Sequence, residues 1–389
     1  MSADQHLPYR LRLPGPVAVP ADVQHAIAGQ VLNHRGSEFN QIMHTAAALA
    51  QPVFGTQNDI MFFASSGTGV MEASLINALG RGERALVIAN GQFGERFASI
   101  AAAHGIHTEV INVVWGENVD PQIVSEKLQN GNFHAVVAVH NESSTGAVAD
   151  IETLGRIVAP TDAILIVDSI SGLGAVEMRQ DDWGVDILVS ASQKALMCPP
   201  GLGLASVSAK GWAQIEKDTG KSRFYWDLRK ARNAAAKGQT SFTTPVTLMA
   251  GLCRALSMIN EEGMENVLAR HRLISDGLRA GGTALGLPLF TTAPLVSNSV
   301  TVLSMPAQLD GNAVVRHMHE HFNTVIAGAR NRLAGKVIRI GTMGHVSQAD
   351  ILTDLDYLEA TFKALNQPVQ SGQATRAAQK VFEQEGRTK

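Results

Sequence analysis

The sequence has 389 residues, of which 45% are hydrophobic and 17% charged, and its formal net charge is -3 at pH 7. The length fits about two globular domains, and the balanced charge gives no basis for binding nucleic acid or an acidic membrane. Two cysteines exclude a disulfide framework, and no apolar run approaches the roughly 18 residues of a membrane helix. The N-terminus lacks the apolar core of a signal peptide. We therefore expect a cytoplasmic protein with neither nucleic-acid nor membrane partners.

Short, almost wholly apolar runs alternate with helix-patterned stretches up to about residue 258. Such runs are typical of parallel strands that helices bury on both faces, because half-exposed strands alternate apolar and polar residues. The runs lie at 59–65, 84–90, 134–140, 163–169, 186–192 and 202–208. They predict a large α/β domain over residues 1–258, with a sheet covered by helices.

The pattern changes beyond residue 258. A long amphipathic stretch is followed by two short candidate strands, at 298–304 and 336–341. This arrangement predicts a second, smaller α+β domain over residues 259–389. The polar tail after Asn366 has no assigned position in it.

Polar and glycine-rich residues follow the predicted strands, and ligands of open α/β sheets bind outside the carboxyl ends of the strands. Ser66-Gly67-Thr68 follows the first strand and opens a helix. Free backbone N–H groups at a helix start form an anion site, and the hydroxyls of Ser66 and Thr68 add donors. The alternative is ordinary N-capping by serine or threonine.

Two ionisable residues end neighbouring apolar strands. Asp168 ends the run ILIVD, where a carboxylate needs a cationic partner such as a pyridinium nitrogen. Lys194 follows the next strand, and a lysine in a partly dry pocket can have a lowered pKa and act as a nucleophile. The alternatives are a helix cap or salt bridge for Asp168 and a solvated charge for Lys194.

Phe93 and Arg339 are further candidates. Phe93 follows the second strand, between glycines, and can either cover a planar ring or pack in the core. Arg339 lies inside the apolar strand KVIRIG, where it needs an anion: either a substrate carboxylate or an acidic side chain. His317, His319 and His321 lie near each other on a predicted helix, but no further ligands accompany them. We therefore predict no metal.

Three segments resemble one enzyme family. HNESSTG (140–146), the stretch 167–203 with its SQKALMCPPG, and KVIRIGTMG (336–344) are similar to class V pyridoxal-phosphate aminotransferases, above all the alanine–glyoxylate and serine–glyoxylate enzymes. The likeness runs from about Pro14 to about Leu365. It implies the fold-type-I architecture, with a mostly parallel seven-stranded sheet and a smaller C-terminal domain.

The resemblance also implies roles for individual residues. Lys194 would carry the cofactor as a Schiff base and move the substrate Cα proton, while Asp168 would keep the ring nitrogen protonated. Arg339 would bind the substrate carboxylate. The implied cofactor contacts are Ser66, Gly67, Thr68, Phe93, Ser143, Asp168, Gln193 and Lys194, completed by Thr240 and Thr243 from the other subunit of a homodimer.

The resemblance says less about the residues at the entrance to the substrate site, called here the substrate mouth. By resemblance, Gly15 and the N-terminal segment 1–20 would line it, together with Arg35. Arg35 would bind the second carboxylate of a substrate such as aspartate, or else form a structural or interface salt bridge.

The implied reaction is a ping-pong transfer of an amino group from a small amino acid, such as alanine or serine, to a 2-oxo acid, above all glyoxylate. Three alternatives remain open: an aspartate–glyoxylate transaminase, a lyase such as a cysteine desulfurase, and a non-catalytic subunit that keeps the fold. Cys198 lies in a proline turn, which is a poor position for the mobile cysteine of a desulfurase.

Overall fold

A computed structural model of the chain describes residues 7–217 and 220–386. Residues 1–6, which belong to the segment predicted at the substrate mouth, and residues 387–389 at the end of the tail lie outside the described residues.

Strands and helices alternate through the N-terminal part of the chain, as the apolar runs predict. The elements in chain order are β1 (Arg10–Leu11), α1 (Ala21–Ile27), α2 (Ser37–Phe54), β2 (Ile60–Ser65), α3 (Gly67–Ala78), β3 (Arg84–Ala89), α4 (Gln92–Ala103), β4 (His107–Asn112), α5 (Pro121–Asn130), β5 (Ala135–Val139), β6 (Asn141–Glu142), β7 (Ala147–Val148), α6 (Ile151–Val158), β8 (Ile164–Asp168), β9 (Ile187–Ala191), β10 (Gly201–Val207), α7 (Ala209–Glu216), α8 (Leu228–Ala235) and α9 (Val246–Glu262).

The C-terminal part contains fewer and shorter strands between long helices. Its elements are α10 (Met264–Ala284), β11 (Val300–Ser304), α11 (Gly311–Phe322), β12 (Thr324–Val325), β13 (Ala327–Gly328), a 3₁₀ helix (Asn331–Leu333), β14 (Val337–Gly341), α12 (Gln348–Ala364) and α13 (Gln373–Gly386). Of the described helices, none combines the length and apolar character needed to cross a membrane.

A seven-stranded sheet forms the centre of the large domain, in the order β2-β10-β9-β8-β5-β3-β4. Ile60 and Phe62 belong to the apolar cluster on one face, and Met61 and Phe63 to the cluster on the other. This alternation along β2 is expected of a strand buried on both sides. The predicted α/β class, with its covered, mostly parallel sheet, is confirmed.

Two features of this sheet differ from the sequence-based expectation. β10 is antiparallel to both of its neighbours, β2 and β9. Its residues are as apolar as those of a parallel strand because burial on both faces, and not strand direction, sets that composition. The edge strand β4 was not predicted: its sequence HTEVIN is mostly half-exposed, so it lacks the continuous apolar run of a central strand.

The smaller domain is built on a three-stranded sheet in the order β11-β14-β13. The polar tail, left unplaced by the sequence, forms α13 and packs against α10 and α12. Helix α9 continues through residue 258 to Glu262, so the predicted division at that residue falls inside a helix. The chain start is tied to this domain, because β1 pairs with β12 and Arg12 Nε donates to Asp354 Oδ2 over 2.6 Å.

Candidate active site

A cavity of about 200 Å³ lies at the carboxyl ends of the central parallel strands. Eight residues predicted as cofactor contacts line it, and these are Ser66, Gly67, Thr68, Phe93, Ser143, Asp168, Gln193 and Lys194. The structure therefore brings together side chains that are up to 128 positions apart in the sequence, counted from Ser66 to Lys194. The parallel strands account for this convergence, because their carboxyl ends share one sheet edge.

The start of α3 forms one end of the cavity. Ser66 is the N-cap residue, yet its hydroxyl makes no capping hydrogen bond. Simple N-capping therefore does not explain this serine. Beside it, the Gln193 amide makes no hydrogen bond with any described residue, and its buried oxygen is unsatisfied. A helix start flanked by uncommitted polar groups is suited to a phosphate.

Asp168 lies at the end of β8, and only 3% of its surface is exposed. Its Oδ1 accepts a hydrogen bond of 2.7 Å from the Ile170 N–H, which is the sole hydrogen bond to this carboxylate among the described residues. Burial, reinforced by the nearby Glu142 charge, raises the Asp168 pKa to about 7. A carboxylate held this way gains most from a cation placed in the cavity.

Lys194 lines the cavity and contacts the chain's N-terminal segment. Its Nζ donates a hydrogen bond to the Pro14 carbonyl. Burial lowers the Lys194 pKa from 10.5 to about 8, although the Asp168 charge acts in the opposite direction. Any side chain at Gly15 would overlap Lys194, and Gly15 has a φ of +96°. The N-terminal segment therefore reaches the lysine.

The lowered pKa of Lys194 predicts a pH dependence for cofactor attachment. The neutral amine is the nucleophile, so the rate at which the apo-protein couples to pyridoxal phosphate should rise with pH, reach half its maximum near pH 8 and level off above. Absorbance of the attached cofactor after mixing measures this rate. A rate that keeps rising to the ordinary lysine pKa of 10.5 would contradict the prediction.

Arg339 approaches the same place from the smaller domain. Its Nε and Nη2 donate to the Gly328 carbonyl at 2.9 and 2.8 Å, and Nη1 donates to the Ser143 carbonyl at 3.2 Å. A guanidinium has five N–H donors, so each terminal nitrogen retains one. Ser143 lines the cavity and the Arg339 charge acts on Lys194, so the guanidinium lies near the cavity with one further N–H on each terminal nitrogen for a carboxylate.

Besides Gly15 and Arg339, three predicted residues do not line this cavity, and these are Arg35, Thr240 and Thr243. Arg35 Nη1 donates to the Gln239 side chain and to the Thr240 carbonyl, both at 2.9 Å. Thr240 and Thr243 border a separate shallow depression beside Tyr225. Within this chain, the three residues form one surface region apart from Lys194.

The histidine group on α11 is not joined by further ligands. His317 bonds Thr361 and stacks on His321, with the ring centroids 4.0 Å apart. In residues 7–217 and 220–386, no three His, Cys, Asp or Glu side chains form a cluster able to hold a metal ion.

The cavity residues fit pyridoxal phosphate. Its phosphate matches the start of α3 and the uncommitted Gln193 amide, its ring nitrogen matches the buried Asp168, and its aldehyde matches Lys194. Among the described residues, the Gln193 amide has no hydrogen-bond partner, the Asp168 carboxylate accepts a single hydrogen bond, and the Lys194 amine donates only to the Pro14 carbonyl.

Sequence reasoning assigned no role to several residues that the cavity also contains. Met71, Val139 and Ile170 contribute apolar surface, and Asn141, Ser171 and Arg96 contribute polar groups. Arg96 could have been found, because it lies three positions after Phe93 on α4 and therefore on the same helix face.

Comparisons with known proteins agree with this site. The chain matches the family model of class V aminotransferases over residues 23–351. It is 34% identical over 379 residues to the L-aspartate–glyoxylate aminotransferase of Paracoccus denitrificans, covering 96% of each chain. It is 37% identical over 377 residues to the soluble hydrogenase 42 kDa subunit of Anabaena cylindrica, covering 96% of this chain and 98% of the other.

The fold is also similar to a solved structure. Ureidoglycine–glyoxylate aminotransferase from Bacillus subtilis superposes with a TM-score of 0.92 at 27% sequence identity, over 98% of this chain and 100% of the other.

Proposed function

We propose, since this chain belongs to the class V aminotransferases, that it moves the amino group of a small amino acid such as alanine or serine to glyoxylate in two half-reactions at one site. Membership of this family makes the chain a pyridoxal-phosphate-dependent transaminase. The proposed substrates rest on one observation: the Lys194 amine shares a small cavity with the Asp168 carboxylate, and the Arg339 guanidinium is near enough for its charge to act on the amine.

The bound cofactor supplies the electron sink that stabilises negative charge at the substrate Cα. Lys194 holds and moves the proton at Cα, because its amine is buried and its pKa of about 8 suits exchange near neutral pH. Asp168 holds the proton on the ring nitrogen. The N-terminal segment covers Lys194 and helps to exclude water from it.

Arg339 orients the substrate by binding its carboxylate. Two backbone carbonyls fix the guanidinium, and its remaining terminal N–H donors match the two carboxylate oxygens. A carboxylate held there directs the Cα–H bond toward Lys194. Both the amino acid and the 2-oxo acid carry this group, so one arginine serves both half-reactions.

We expect Arg339→Gln to lower kcat/KM about a hundredfold for every donor and acceptor, because a charged hydrogen-bonded pair is lost. Arg339→Lys should recover little, since an ammonium cannot replace the fork. Steady-state kinetics measure both. Arg279→Gln is the matched control, because Arg279 also donates to a backbone carbonyl, that of Ser297, outside the cavity. Unchanged kinetics in Arg339→Gln would remove Arg339 from the site.

The contacts of Arg35 favour a donor with a single carboxylate. Its Nη1 is held by Gln239 and by the Thr240 carbonyl, as in a structural role. Aspartate remains the second candidate donor, because the Paracoccus denitrificans relative carries that substrate in its name.

We propose a homodimer in which the segment 239–245 completes the active site of the other subunit. Thr240 and Thr243 lie apart from the cavity of their own chain, beside an aromatic surface of Phe224, Tyr225 and Phe242. Phe224 is 70% exposed and Tyr225 is 39% exposed. An exposed aromatic group beside polar side chains is typical of an interface. The cytoplasmic location stays a prediction.

A desulfurase and a non-catalytic subunit have less support than a transaminase. Cys198 is buried, and burial raises the pKa of its thiol to about 12, which disfavours the thiolate that a desulfurase needs. The Anabaena cylindrica relative carries the name of a hydrogenase subunit and not of an aminotransferase, which is the reason to keep the non-catalytic subunit as an alternative. Against it, the cavity contains a lysine with a lowered pKa and a buried carboxylate, and a fixed guanidinium lies near them, a combination that a stable fold alone does not require.

A substrate panel tests the proposal. Purified protein would be given alanine, serine, glycine or aspartate with glyoxylate, pyruvate or 2-oxoglutarate. We expect alanine or serine with glyoxylate to have the highest kcat/KM, parallel double-reciprocal lines, and a cofactor absorbance that bleaches with donor alone and returns with glyoxylate. If aspartate had the highest kcat/KM among the donors, it would replace alanine and serine as the proposed donor. Sulfide release from cysteine, or no spectral response to any amino acid, would overturn transamination.

A further inference from the structure

Glu142 is a fully buried carboxylate to which no role in the reaction has been given. It lies at the end of β6 and is 0% exposed. Its Oε2 accepts hydrogen bonds from the backbone N–H groups of Phe93 at 2.9 Å and Gly94 at 3.4 Å. Its Oε1 accepts from the Ser144 N–H at 3.1 Å and the Ser144 hydroxyl at 2.6 Å. All four partners are donors, which favours the ionised form of the carboxylate, whereas burial acts in the opposite direction and raises the pKa of Glu142.

This carboxylate binds the first turn of α4, the helix that carries Phe93 into the cavity. The Ser144 hydroxyl extends the contact, because it also accepts from the Gln92 N–H at 3.1 Å. Gly91 permits the approach: any Cβ there would overlap the Glu142 side chain. The negative charge also faces the positive end of the helix dipole. The Phe93 backbone N–H is thus held by the carboxylate of Glu142, which is shielded from water.

Arg96 restrains the side chain of the same phenylalanine. Its guanidinium carbon lies 4.6 Å from the centroid of the Phe93 ring. Its Nη1 donates to Thr68 Oγ1 at 3.0 Å, at the start of α3. One guanidinium therefore joins the aromatic ring to the proposed phosphate end of the cavity. Arg96 covers one face of the Phe93 ring, and Phe93 also lines the cavity, where its ring can contact a planar ligand.

We propose that Glu142 and Arg96 are positioning residues that fix the Phe93 ring against the pyridoxal ring, Glu142 through the helix backbone and Arg96 through the ring face and Thr68. The inference rests on the proposed placement of Phe93 beside the cofactor. In this proposal both side chains act on the ligand through Phe93, even though Arg96 also lines the cavity, so their effects should depend on an aromatic ring at that position.

The test is a double-mutant cycle on cofactor binding. Glu142→Gln keeps the shape of the side chain but turns an amide N–H toward backbone donors, and Arg96→Met keeps its length without its charge. We expect the Kd of the apo-protein for pyridoxal phosphate to rise about tenfold in Glu142→Gln and about fivefold in Arg96→Met. Visible circular dichroism of the bound cofactor, which reports the tilt of its ring, should weaken in both.

The same substitutions in a Phe93→Leu background give the decisive comparison. If they act through the ring, the further rise in Kd should fall below about twofold for each. Full, additive effects in that background would overturn the inference, and so would unchanged Kd and dichroism in the single variants. If Phe93→Leu alone changes neither readout, the proposed placement of Phe93 fails and the inference falls with it.

Two matched controls separate this role from loss of fold. Glu359 is also a buried carboxylate that accepts helix-start N–H groups, from Gly372 and Ala374, but it lies in the smaller domain. Arg232 also lies 4.6 Å over an aromatic ring, that of Trp212, outside the cavity. Glu359→Gln and Arg232→Met should leave cofactor Kd and dichroism unchanged. Should Glu142→Gln not fold, Arg96→Met and the Phe93→Leu cycle still decide the Arg96 half.

Discussion

Lys194→Ala should lose turnover by about 10⁴-fold or more while the protein remains folded. The amine at this position is the only described group in the cavity that combines a lowered pKa, of about 8, with the nucleophilicity to attach the cofactor. Alanine removes both the attachment and the proton transfer at Cα. Steady-state and single-turnover assays measure the loss. An added small primary amine should restore part of the single-turnover rate.

Lys221→Ala is the matched control for this variant. Burial also lowers the Lys221 pKa to about 8, but its Nζ donates to the Gln214 carbonyl, and the residue does not line the cavity. It should retain turnover, which would show that a lowered pKa alone does not make a lysine catalytic. Near-normal turnover in Lys194→Ala would contradict the role given to this residue.

Lys194→Ala should not weaken the fold of the apo-protein. The folded-state pKa of Lys194 lies below its unfolded value of 10.5, so the unfolded chain holds the proton more tightly. Burying this lysine therefore costs stability below about pH 8, and the cost disappears as the pH rises towards 10.5. In melting curves, the Tm of apo Lys194→Ala should lie above that of the parent apo-protein at about pH 7, and the difference should be smaller at about pH 10.

The convergence of Asp168 and Lys194 was predictable because each follows an apolar run that must be a buried strand. Parallel strands place their carboxyl ends on one edge, so the residue after each run indicates where the site lies without a three-dimensional model. Arg339 followed from a related principle: a guanidinium inside an apolar strand needs an anion nearby.

Strand direction and edge strands were not predictable in this way. The composition of β10 records burial on two faces and is the same for either direction. β4 lies at the sheet edge with one face half-exposed, so its pattern resembles that of a loop or helix end.

The roles of Glu142 and Arg96 depend on contacts between segments that periodicity cannot join. Glu142 bonds a helix start 49 positions earlier in the chain. Thr243 shows a second limit, because the periodicity of one chain does not predict a contact that a residue would make only in a neighbouring subunit.

Asp168→Asn should lower kcat about a thousandfold, the second-largest effect at this site. Asparagine can keep the hydrogen bond from the Ile170 N–H but cannot hold a proton on the ring nitrogen, so negative charge at Cα loses its sink. A cofactor analogue with a methylated, permanently cationic ring nitrogen should recover much of the lost rate. Stopped-flow absorbance with saturating donor measures the first half-reaction directly.

Asp186→Asn is the matched control, because burial also raises the pKa of this carboxyl while it binds the Leu165 N–H outside the cavity. Asp186→Asn should keep its kcat.

The stability of the apo-protein provides a second readout for Asp168. Since the folded pKa of Asp168 is raised from 3.8 to about 7, its ionisation costs stability above pH 7 and nothing below about pH 4. Asp168→Asn should therefore stabilise the apo-protein at about pH 8, with the gain shrinking as the pH falls. An unchanged kcat in Asp168→Asn, or a gain in stability that grows towards low pH, would show that Asp168 is not a buried carboxylate that pairs with the protonated ring nitrogen.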